Sequence, residues 1–252
     1  MREGSDDMNM YDQISEYYDE IFPVDAKTLD FIKRAAGNPP RSVLDVACGS
    51  GGHAVEMSKY GYNTTATDNN PDMILRTSRK AREENVMVDV VECDMRDIGS
   101  KIQKKLDCIY CIGNSIVHIT NIDEITDVLM QMEKLLVKEG TLIIQTLNYD
   151  RIIRLNINRL PVIENKEKGI TFIRTYDFDN PDGTVKFRTE IVVNNSQVNG
   201  SVKGEVDLYP VKKDEMIRAL QKAGFKNIEV YGDFTGQAFT EDSFMLVVKA
   251  KK

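Results

Sequence analysis

Hydrophobic and polar residues follow two different periods along this chain of 252 residues, and their order predicts the fold. Apolar residues three or four positions apart indicate a helix over residues 11–21. A second helix is expected over residues 25–36, because the segment Gly37-Asn-Pro-Pro40 that follows it cannot continue a helix. We therefore expect the first part of the chain, residues 1–40, to form cap helices.

Short apolar runs then alternate with amphipathic segments. Strands are expected at residues 43–46, 63–67, 87–92, 106–112 and 141–147. Helices are expected between them, at residues 53–59, 71–84 and 122–136. Strands that alternate with helices in this way predict an α/β fold, with a doubly wound, Rossmann-like sheet that is mostly parallel.

The pattern changes after residue 150. Three β-rich runs are separated by turn residues, at 170–178, 184–193 and 201–209. They predict an antiparallel β insertion over residues 151–210, which we expect to cover the substrate as a lid. A helix at 212–223 and strands at 227–231 and 244–249 follow. The core would then comprise residues 41–150 and 211–252, with seven strands.

The composition is that of an ordinary globular protein, with 41% hydrophobic and 29% charged residues. No apolar run approaches the length of a membrane span and no signal sequence opens the chain, so we expect a cytoplasmic protein without a membrane partner. The net charge of −7 argues against a nucleic-acid partner, because phosphates attract basic surfaces. The four cysteines fall in or beside expected strands, which predicts buried thiols and no metal. The sequence leaves the oligomeric state open.

A glycine-rich segment after the first expected strand carries the strongest chemical signal. Asp45, Ala47, Gly49 and Gly51 stand at alternate positions, as D-x-A-x-G-x-G. Glycines allow the backbone to turn sharply close to a ligand, and a carboxylate at a strand end suits an ammonium group. This arrangement resembles motif I of the class I S-adenosylmethionine-dependent methyltransferases. The same glycines also satisfy the G-x-G-x-x-A pattern of dinucleotide-binding proteins, and a purely structural turn is a further alternative.

Acidic residues also end the next two strands. Asp68 can accept hydrogen bonds from both hydroxyls of a ribose, as acids at this place also do in dehydrogenases, and we assign the adjacent Asn69 to the same site. The resemblance implies that Asp94 holds the amino group of adenine and that Met95 packs against the base. It also implies S-adenosylmethionine as the cofactor.

A narrower resemblance begins after the fourth strand. The segment Gly113-Asn-Ser-Ile-Val-His-Ile119 is similar to the G-N-S-x-x-H-L segment of the glycine and sarcosine N-methyltransferase group, and we assign Gly113 to the cofactor site. Further matches at corresponding places are Asn148-Tyr-Asp150, Tyr209-Pro210 and Gly232-Asp-Phe234. The likeness runs from about residue 42 to the C-terminus and implies a last strand that is antiparallel.

The same resemblance implies roles for individual side chains. Asn114 is expected near the transferred methyl group and the substrate amine, with Asn148 and Tyr209 also at the substrate. His118 can accept a proton or orient the substrate, and a structural role is the alternative. Tyr17 belongs to the N-terminal helix that often covers the cofactor in this fold, although core packing explains it as well.

One position departs from this group. In the glycine enzymes an arginine directly before N-Y-D clamps the substrate carboxylate, whereas this chain has Leu147. An aliphatic side chain cannot donate the paired hydrogen bonds that arginine gives a carboxylate, so we expect poor use of glycine and sarcosine. The insertion and its entry contain alternative cations, whose ordinary role is a solvated surface charge: Arg151, Arg154, Arg174 and Arg188.

The sequence therefore favours an S-adenosylmethionine-dependent methyltransferase that acts on a small molecule, with an amine nitrogen as the acceptor. O-methylation of a small metabolite is the alternative within this class. A non-catalytic protein that binds S-adenosylmethionine and a nicotinamide-dependent oxidoreductase are the alternatives outside it.

Overall fold

The structure of the protein, a computed structural model, describes residues 17–194 and 199–252. Its strands are β1 (Ser42–Val46), β2 (Asn63–Asp68), β3 (Val88–Glu92), β4 (Leu106–Cys111), β5 (Leu136–Leu147), β6 (Ile163–Asn165), β7 (Ile170–Asp177), β8 (Val185–Asn194), β9 (Asn199–Leu208), β10 (Lys226–Tyr231) and β11 (Met245–Lys251). Its helices are α1 (Tyr18–Ile21), α2 (Ala26–Ala36), α3 (Gly52–Lys59), α4 (Pro71–Glu83), α5 (Ile98–Lys101), α6 (Ile122–Leu135), α7 (Tyr149–Arg154) and α8 (Lys213–Lys222). Short 3-10 turns follow β3 and β4, at Met95–Asp97 and Ile116–His118. Residues 11–16 of the first expected helix lie outside the described residues.

The larger sheet has seven strands in the order β10-β11-β5-β4-β1-β2-β3. Strands β1 to β5 pair in parallel, and β11 is antiparallel to both of its neighbours. The predicted α/β fold with a mostly parallel sheet is thereby confirmed. Because the carboxyl ends of parallel strands lie at one edge, the motifs that follow β1, β2, β3, β4 and β5 meet there.

Helices cover both faces of this sheet. On one face α6 buries Ile125, Leu129 and Met132, which stand at helical spacing, in the main core. On the other face Ile32 of α2 packs with Val43 of β1. Each fully buried aliphatic side chain contributes roughly 1.5–3 kcal/mol through removal from water. No helix in the described part of the chain is long and apolar enough to cross a membrane.

The insertion folds as a separate antiparallel sheet in the order β6-β7-β8-β9. The hydrophobic pattern predicted its three long strands but not β6, which has only three residues and therefore too few positions to show an alternation. One face of this sheet packs against α1, where Phe172 and Ile191 form a buried cluster with Ile21. The Phe172 ring also meets the Phe22 ring edge-on, with 5.7 Å between centroids. The insertion and the N-terminal segment therefore support each other.

Asn148 ties three parts of the chain together at the end of β5. Its side-chain oxygen accepts a hydrogen bond from the Arg151 backbone at 3.1 Å and caps α7. Its side-chain nitrogen donates to the carbonyl oxygens of Glu241 at 3.2 Å and Ser243 at 2.9 Å, in the loop before β11. The side chain is 1% exposed. We expect Asn148 at the substrate, and these contacts favour a structural role as well, because both of its N–H groups and one acceptor position of its oxygen have protein partners.

Replacement of Asn148 by Ala is expected to lower the free energy of unfolding by about 2–3 kcal/mol, because one helix cap and two buried hydrogen bonds are lost. Thermal unfolding would then shift downward by roughly 5–10 °C. Asn121→Ala is the matched control, since Asn121 caps α6 through a single hydrogen bond to the Asp123 backbone. An Asn148→Ala protein as stable as Asn121→Ala, but with a raised KM for its acceptor, would instead support the substrate-binding role.

Candidate active site

The chain turns sharply between β1 and α3. Ala47, Gly49 and Gly51 all have positive φ angles, of 56°, 56° and 75°. A Cβ atom at Gly49 would lie 2.7 Å from the hydroxyl oxygen of Tyr18, so a side chain there would have to displace the tyrosine ring. Tyr18 of α1 therefore lies on this glycine turn, and both Tyr17 and Tyr18 pack against the cluster of Ile21 and its neighbours in the insertion.

The carboxylate of Asp68 holds the glycine turn. Its Oδ2 accepts a hydrogen bond from the Gly49 backbone at 2.9 Å, and its Oδ1 accepts one from the Asn70 backbone at 2.9 Å. Burial raises the pKa of Asp68 above its ordinary value, and these N–H groups partly oppose that rise. The Asn69 backbone N–H is a further neighbour that lowers this pKa. An ionised carboxylate offers about four acceptor positions, so the three N–H groups do not use all of them. What remains suits a ligand hydroxyl.

Other side chains that fix the turn carried no recognisable sequence signal. The Thr77 hydroxyl on α4 donates to the Gly49 carbonyl at 3.0 Å. Asp19 of α1 accepts hydrogen bonds from the Ser50 hydroxyl at 2.5 Å and from Lys80 of α4 at 2.7 Å. These contacts join residues far apart in the chain, which is why spacing alone did not indicate them.

Asp45 lies beneath the turn and is 2% exposed. Burial raises its pKa well above the ordinary value, and the charge of Asp68 raises it further. The hydroxyl of Tyr110, its partner position on β4, lies near enough to lower that pKa in part but makes no full hydrogen bond in the described structure. A cationic ligand group would stabilise the ionised carboxylate. This environment fits the ammonium group expected from the sequence.

A pocket of about 80 Å³ opens beside the glycine turn. It brings together four predicted cofactor residues with their neighbours, and its lining is Ala47, Asn69, Cys93, Asp94, Met95, Arg96, His118 and Ile119. The apolar side chains of Met95 and Ile119 suit the faces of a planar base. The lining therefore fits a nucleoside whose ribose lies at Asp68.

Asp94 is paired with Arg96, which the sequence analysis did not predict. The Arg96 guanidinium donates to it twice, from Nε to Oδ1 at 3.0 Å and from Nη2 to Oδ2 at 2.6 Å. The Arg96 backbone donates to Oδ1 as well, and these bonds lower the pKa of Asp94. Only Oδ2 keeps an acceptor position, so any contact of Asp94 with an adenine amino group has to use that oxygen.

His118 lines the same pocket. Burial lowers the pKa of its imidazole to about 4, so the ring is neutral near neutral pH and is a weak base. The structure therefore places His118 with the expected nucleoside, and it favours a role in binding over one in proton transfer.

Asn114 follows β4, and its side chain is hydrogen-bonded to the end of β5 and to Tyr149, the tyrosine of N-Y-D. Its φ angle of 66° is uncommon for a residue with a side chain. The side-chain oxygen accepts a hydrogen bond from the Leu147 backbone at 3.0 Å, and the side-chain nitrogen donates to the Tyr149 hydroxyl at 3.0 Å. Gly113 donates from its backbone to the Gln145 side chain at 2.7 Å. The amide of Asn114 is thus held in one orientation, with one N–H and one acceptor position left.

The remaining predicted residue, Tyr209, is turned toward α8. Its hydroxyl donates to Glu215 at 3.2 Å, while its backbone N–H donates to the Val117 carbonyl at 2.8 Å. The backbone of Tyr209 thus supports the turn that carries His118. The structure does not bring its hydroxyl to Asn114.

The candidate cations differ in their partners. Arg154 pairs with Asp242 at 2.7 Å, and Arg188 pairs with Asp177 and Glu205. Arg151 lines a second pocket, of about 420 Å³, with Phe244 and the segment around Pro161. The Arg174 side chain is half-buried, and its Nη2 donates to the Pro161 carbonyl at 2.8 Å.

Comparison with known proteins agrees with this geometry. A family model described as a methyltransferase domain matches residues 43–140. A glycine/sarcosine N-methyltransferase of Aphanothece halophytica is 26% identical over 251 residues, which cover 94% of this chain and 87% of that protein. A ubiquinone biosynthesis O-methyltransferase of Rickettsia akari is 30% identical, but over only 106 residues, 42% of this chain and 40% of that protein.

The fold is shared with solved methyltransferases. The crystal structure of an S-adenosylmethionine-dependent methyltransferase from Clostridium acetobutylicum superposes with a TM-score of 0.81 at 18% sequence identity, covering 96% of this chain and 99% of that chain. These findings set aside the nicotinamide-dependent oxidoreductase. The chain carries a methyltransferase domain over residues 43–140 and is similar to S-adenosylmethionine-dependent methyltransferases, the glycine and sarcosine N-methyltransferase group among them.

Proposed function

We propose that this enzyme transfers a methyl group from S-adenosylmethionine to an amine nitrogen of a small molecule. The observation that carries the proposal is the amide of Asn114, which two hydrogen bonds to Leu147 and Tyr149 hold in one orientation. Its free acceptor position suits an N–H of the substrate, and such a contact orients the nitrogen lone pair. The name of the relative aligned over 94% of the chain supports an amine, whereas the named O-methyltransferase aligns over only 42% of it.

For methyl transfer the protein mainly has to align the acceptor with the methyl group. S-adenosylmethionine supplies a methyl group that its sulfonium already activates. The residues of this chain have to hold the acceptor in line and exclude water. A general base is needed only for an acceptor that arrives protonated. A buried His118 with a pKa of about 4 does not serve that purpose well, so the amine has to enter in its neutral form.

We propose that the cofactor is held by the turn residues and pocket described above. Asp68 would accept the ribose hydroxyls, Asp45 would meet the ammonium group, and Met95 would pack on the base. The N-cap residue of α3, Gly51, provides no side-chain hydrogen bond to the first turn, so the N–H groups there can receive the carboxylate of the ligand.

Asp68→Ala is expected to weaken S-adenosylmethionine binding by about 1.5–3 kcal/mol, roughly ten- to 150-fold, because charge-assisted hydrogen bonds to the ribose are lost. It should also lower thermal stability, because the N–H groups of Gly49 and Asn70 lose their acceptor. Asp72→Ala is the control, since Asp72 is an exposed acid in the first turn of α4 and contributes only a few tenths to one kcal/mol. Calorimetric titration and thermal unfolding measure both effects. Unchanged affinity in a folded Asp68→Ala protein would rule out the ribose assignment.

The acceptor class is tested by release of S-adenosylhomocysteine across small amines, amino acids and phenols. Amines are expected to react and phenols are not. Glycine and sarcosine should react poorly, because Leu147 leaves a nearby carboxylate without charge-assisted bonds, a loss of at least two orders of magnitude in kcat/KM. Leu147→Arg should raise kcat/KM for glycine. Efficient methylation of glycine by the unmodified enzyme would show that the Leu147 argument is wrong, and a preference for phenols would contradict the proposed acceptor.

His118→Asn is expected to leave the shape of the kcat–pH profile unchanged around neutral pH, because the imidazole is already neutral there. Its pKa is lowered from 6.5 to about 4 by burial, so the folded protein resists protonation that the unfolded chain accepts. This contribution destabilises the fold as pH falls below 6.5 toward about 4, and His118→Asn should lessen that decline. Loss of a kcat ionisation near neutral pH in His118→Asn would instead identify His118 as a proton acceptor.

A further inference from the structure

Arg174 stands on the buried face of the insertion. Side chains two positions apart in a strand share a face, so Arg174 shares its face with Ile170, Phe172 and Tyr176 of β7. The other three side chains are 3%, 2% and 5% exposed, respectively. A guanidinium in the middle of such an apolar row is not explained by the packing of the sheet.

The neighbours of Arg174 connect it with two parts of the site. On one side, Phe172 belongs to the cluster that packs against α1, whose Tyr18 covers Gly49. On the other side, the Tyr176 ring meets the Tyr149 ring with 6.1 Å between centroids, and Tyr149 is hydrogen-bonded to Asn114. Arg174 thus lies between two contacts of the insertion. One is with α1, which covers the glycine turn, and the other is with Tyr149, which is bonded to Asn114.

The guanidinium of Arg174 lacks an anionic partner among the residues of segments 17–194 and 199–252. Nη2 donates to the Pro161 carbonyl, the guanidinium lies 5.6 Å from the Phe172 ring centroid, and the buried Nε has no hydrogen-bond partner in the described structure. Burial lowers its pKa from the ordinary value, yet an arginine keeps its charge at neutral pH. A half-buried charge of this kind is costly unless an anion pairs with it. By contrast, Arg188 in β8 forms ion pairs with Asp177 and Glu205.

We propose that Arg174 binds a carboxylate of the methyl acceptor, so that the substrate is a small amine that carries an anionic group several bonds from its nitrogen. This inference rests on the proposed amine methylation for the identity of the acceptor. The separation follows from the contacts: Arg174 is one two-residue strand step, about 7 Å, from Tyr176. The Tyr176 ring lies a further 6.1 Å from the ring of Tyr149, whose hydroxyl is bonded to Asn114. A carboxylate directly beside the amine, as in glycine, does not span that distance, which agrees with the aliphatic Leu147 at the end of β5.

The proposal is tested by the binding of γ-aminobutyrate and of n-butylamine, its neutral counterpart, to enzyme saturated with S-adenosylhomocysteine. The unmodified enzyme is expected to prefer γ-aminobutyrate. Arg174→Gln should reduce that preference roughly ten- to hundredfold, the range for a charge-assisted pair. Arg174→Lys should restore part of it, since the charge remains but the fork is lost. Arg188→Gln is the matched control on the same sheet and should behave as the unmodified enzyme. Thermal unfolding establishes that each variant is folded.

Calorimetry gives the binding result without turnover, so it separates the two proposals. The absence of any preference for the carboxylate in the unmodified enzyme, or an equal preference in Arg174→Gln, overturns the role of Arg174. Methyl transfer is followed separately, by release of S-adenosylhomocysteine from S-adenosylmethionine with either amine. Arg174-dependent carboxylate binding without transfer to any amine would support the Arg174 proposal and contradict the proposed function. Transfer to γ-aminobutyrate with a KM that rises in Arg174→Gln supports both.

Discussion

The rest of this active site depends on the hydrogen bonds that the Asp68 carboxylate accepts from the glycine turn. Asp68 accepts hydrogen bonds from the backbones of Gly49 and Asn70, and it thereby fixes the end of β2 against the end of β1. Ala47, Gly49 and Gly51 of the turn have positive φ angles. Glycine adopts them without steric cost, whereas at Ala47 they cost free energy that the surrounding contacts have to offset. The Thr77 hydroxyl and the Asp68 carboxylate provide such contacts from two different elements. A buried acid that orders the backbone of the turn is also ready to accept ligand hydroxyls without rearrangement.

The same turn connects to the insertion through α1. Asp19 binds Ser50 and Lys80, and Tyr18 lies directly on Gly49, so α1 is fastened to the cofactor turn. The other side of α1 packs against Phe172 of β7. At its far end the insertion reaches the Asn114 turn through the tyrosine pair. The insertion therefore contacts both halves of the proposed site.

Much of this arrangement could be predicted because it depends on residues close in sequence. The alternation of strands and helices indicated the sheet, and strand ends located Asp45, Asp68 and Asp94 at one edge. The exceptions depend on contacts between distant residues or on very short elements. The spacing of residues in the sequence could not show that the side-chain nitrogen of Asn148 donates to the carbonyl oxygens of Glu241 and Ser243.

The direction in which a side chain points could not be predicted from the sequence either. Tyr17 and Tyr18 are adjacent and chemically identical, and only the folded helix shows that Tyr18 lies directly on Gly49. The pairing of Asp94 with Arg96 is local, but two residues of opposite charge at this spacing are common at surfaces and carried no signal by themselves. Arg174 could not be told from Arg154 or Arg188 until their partners were known.

The central claim is that the cofactor and the acceptor meet beneath the insertion, between the glycine turn and the Asn114 turn. A crystal structure of the enzyme with S-adenosylhomocysteine and γ-aminobutyrate tests it most directly. The account predicts the ribose hydroxyls on Asp68, the base beside Met95, the amine at Asn114 and the carboxylate on Arg174. A nucleoside bound away from Asp68, or an amine that lies outside the space between Asn114 and Arg174, would contradict it.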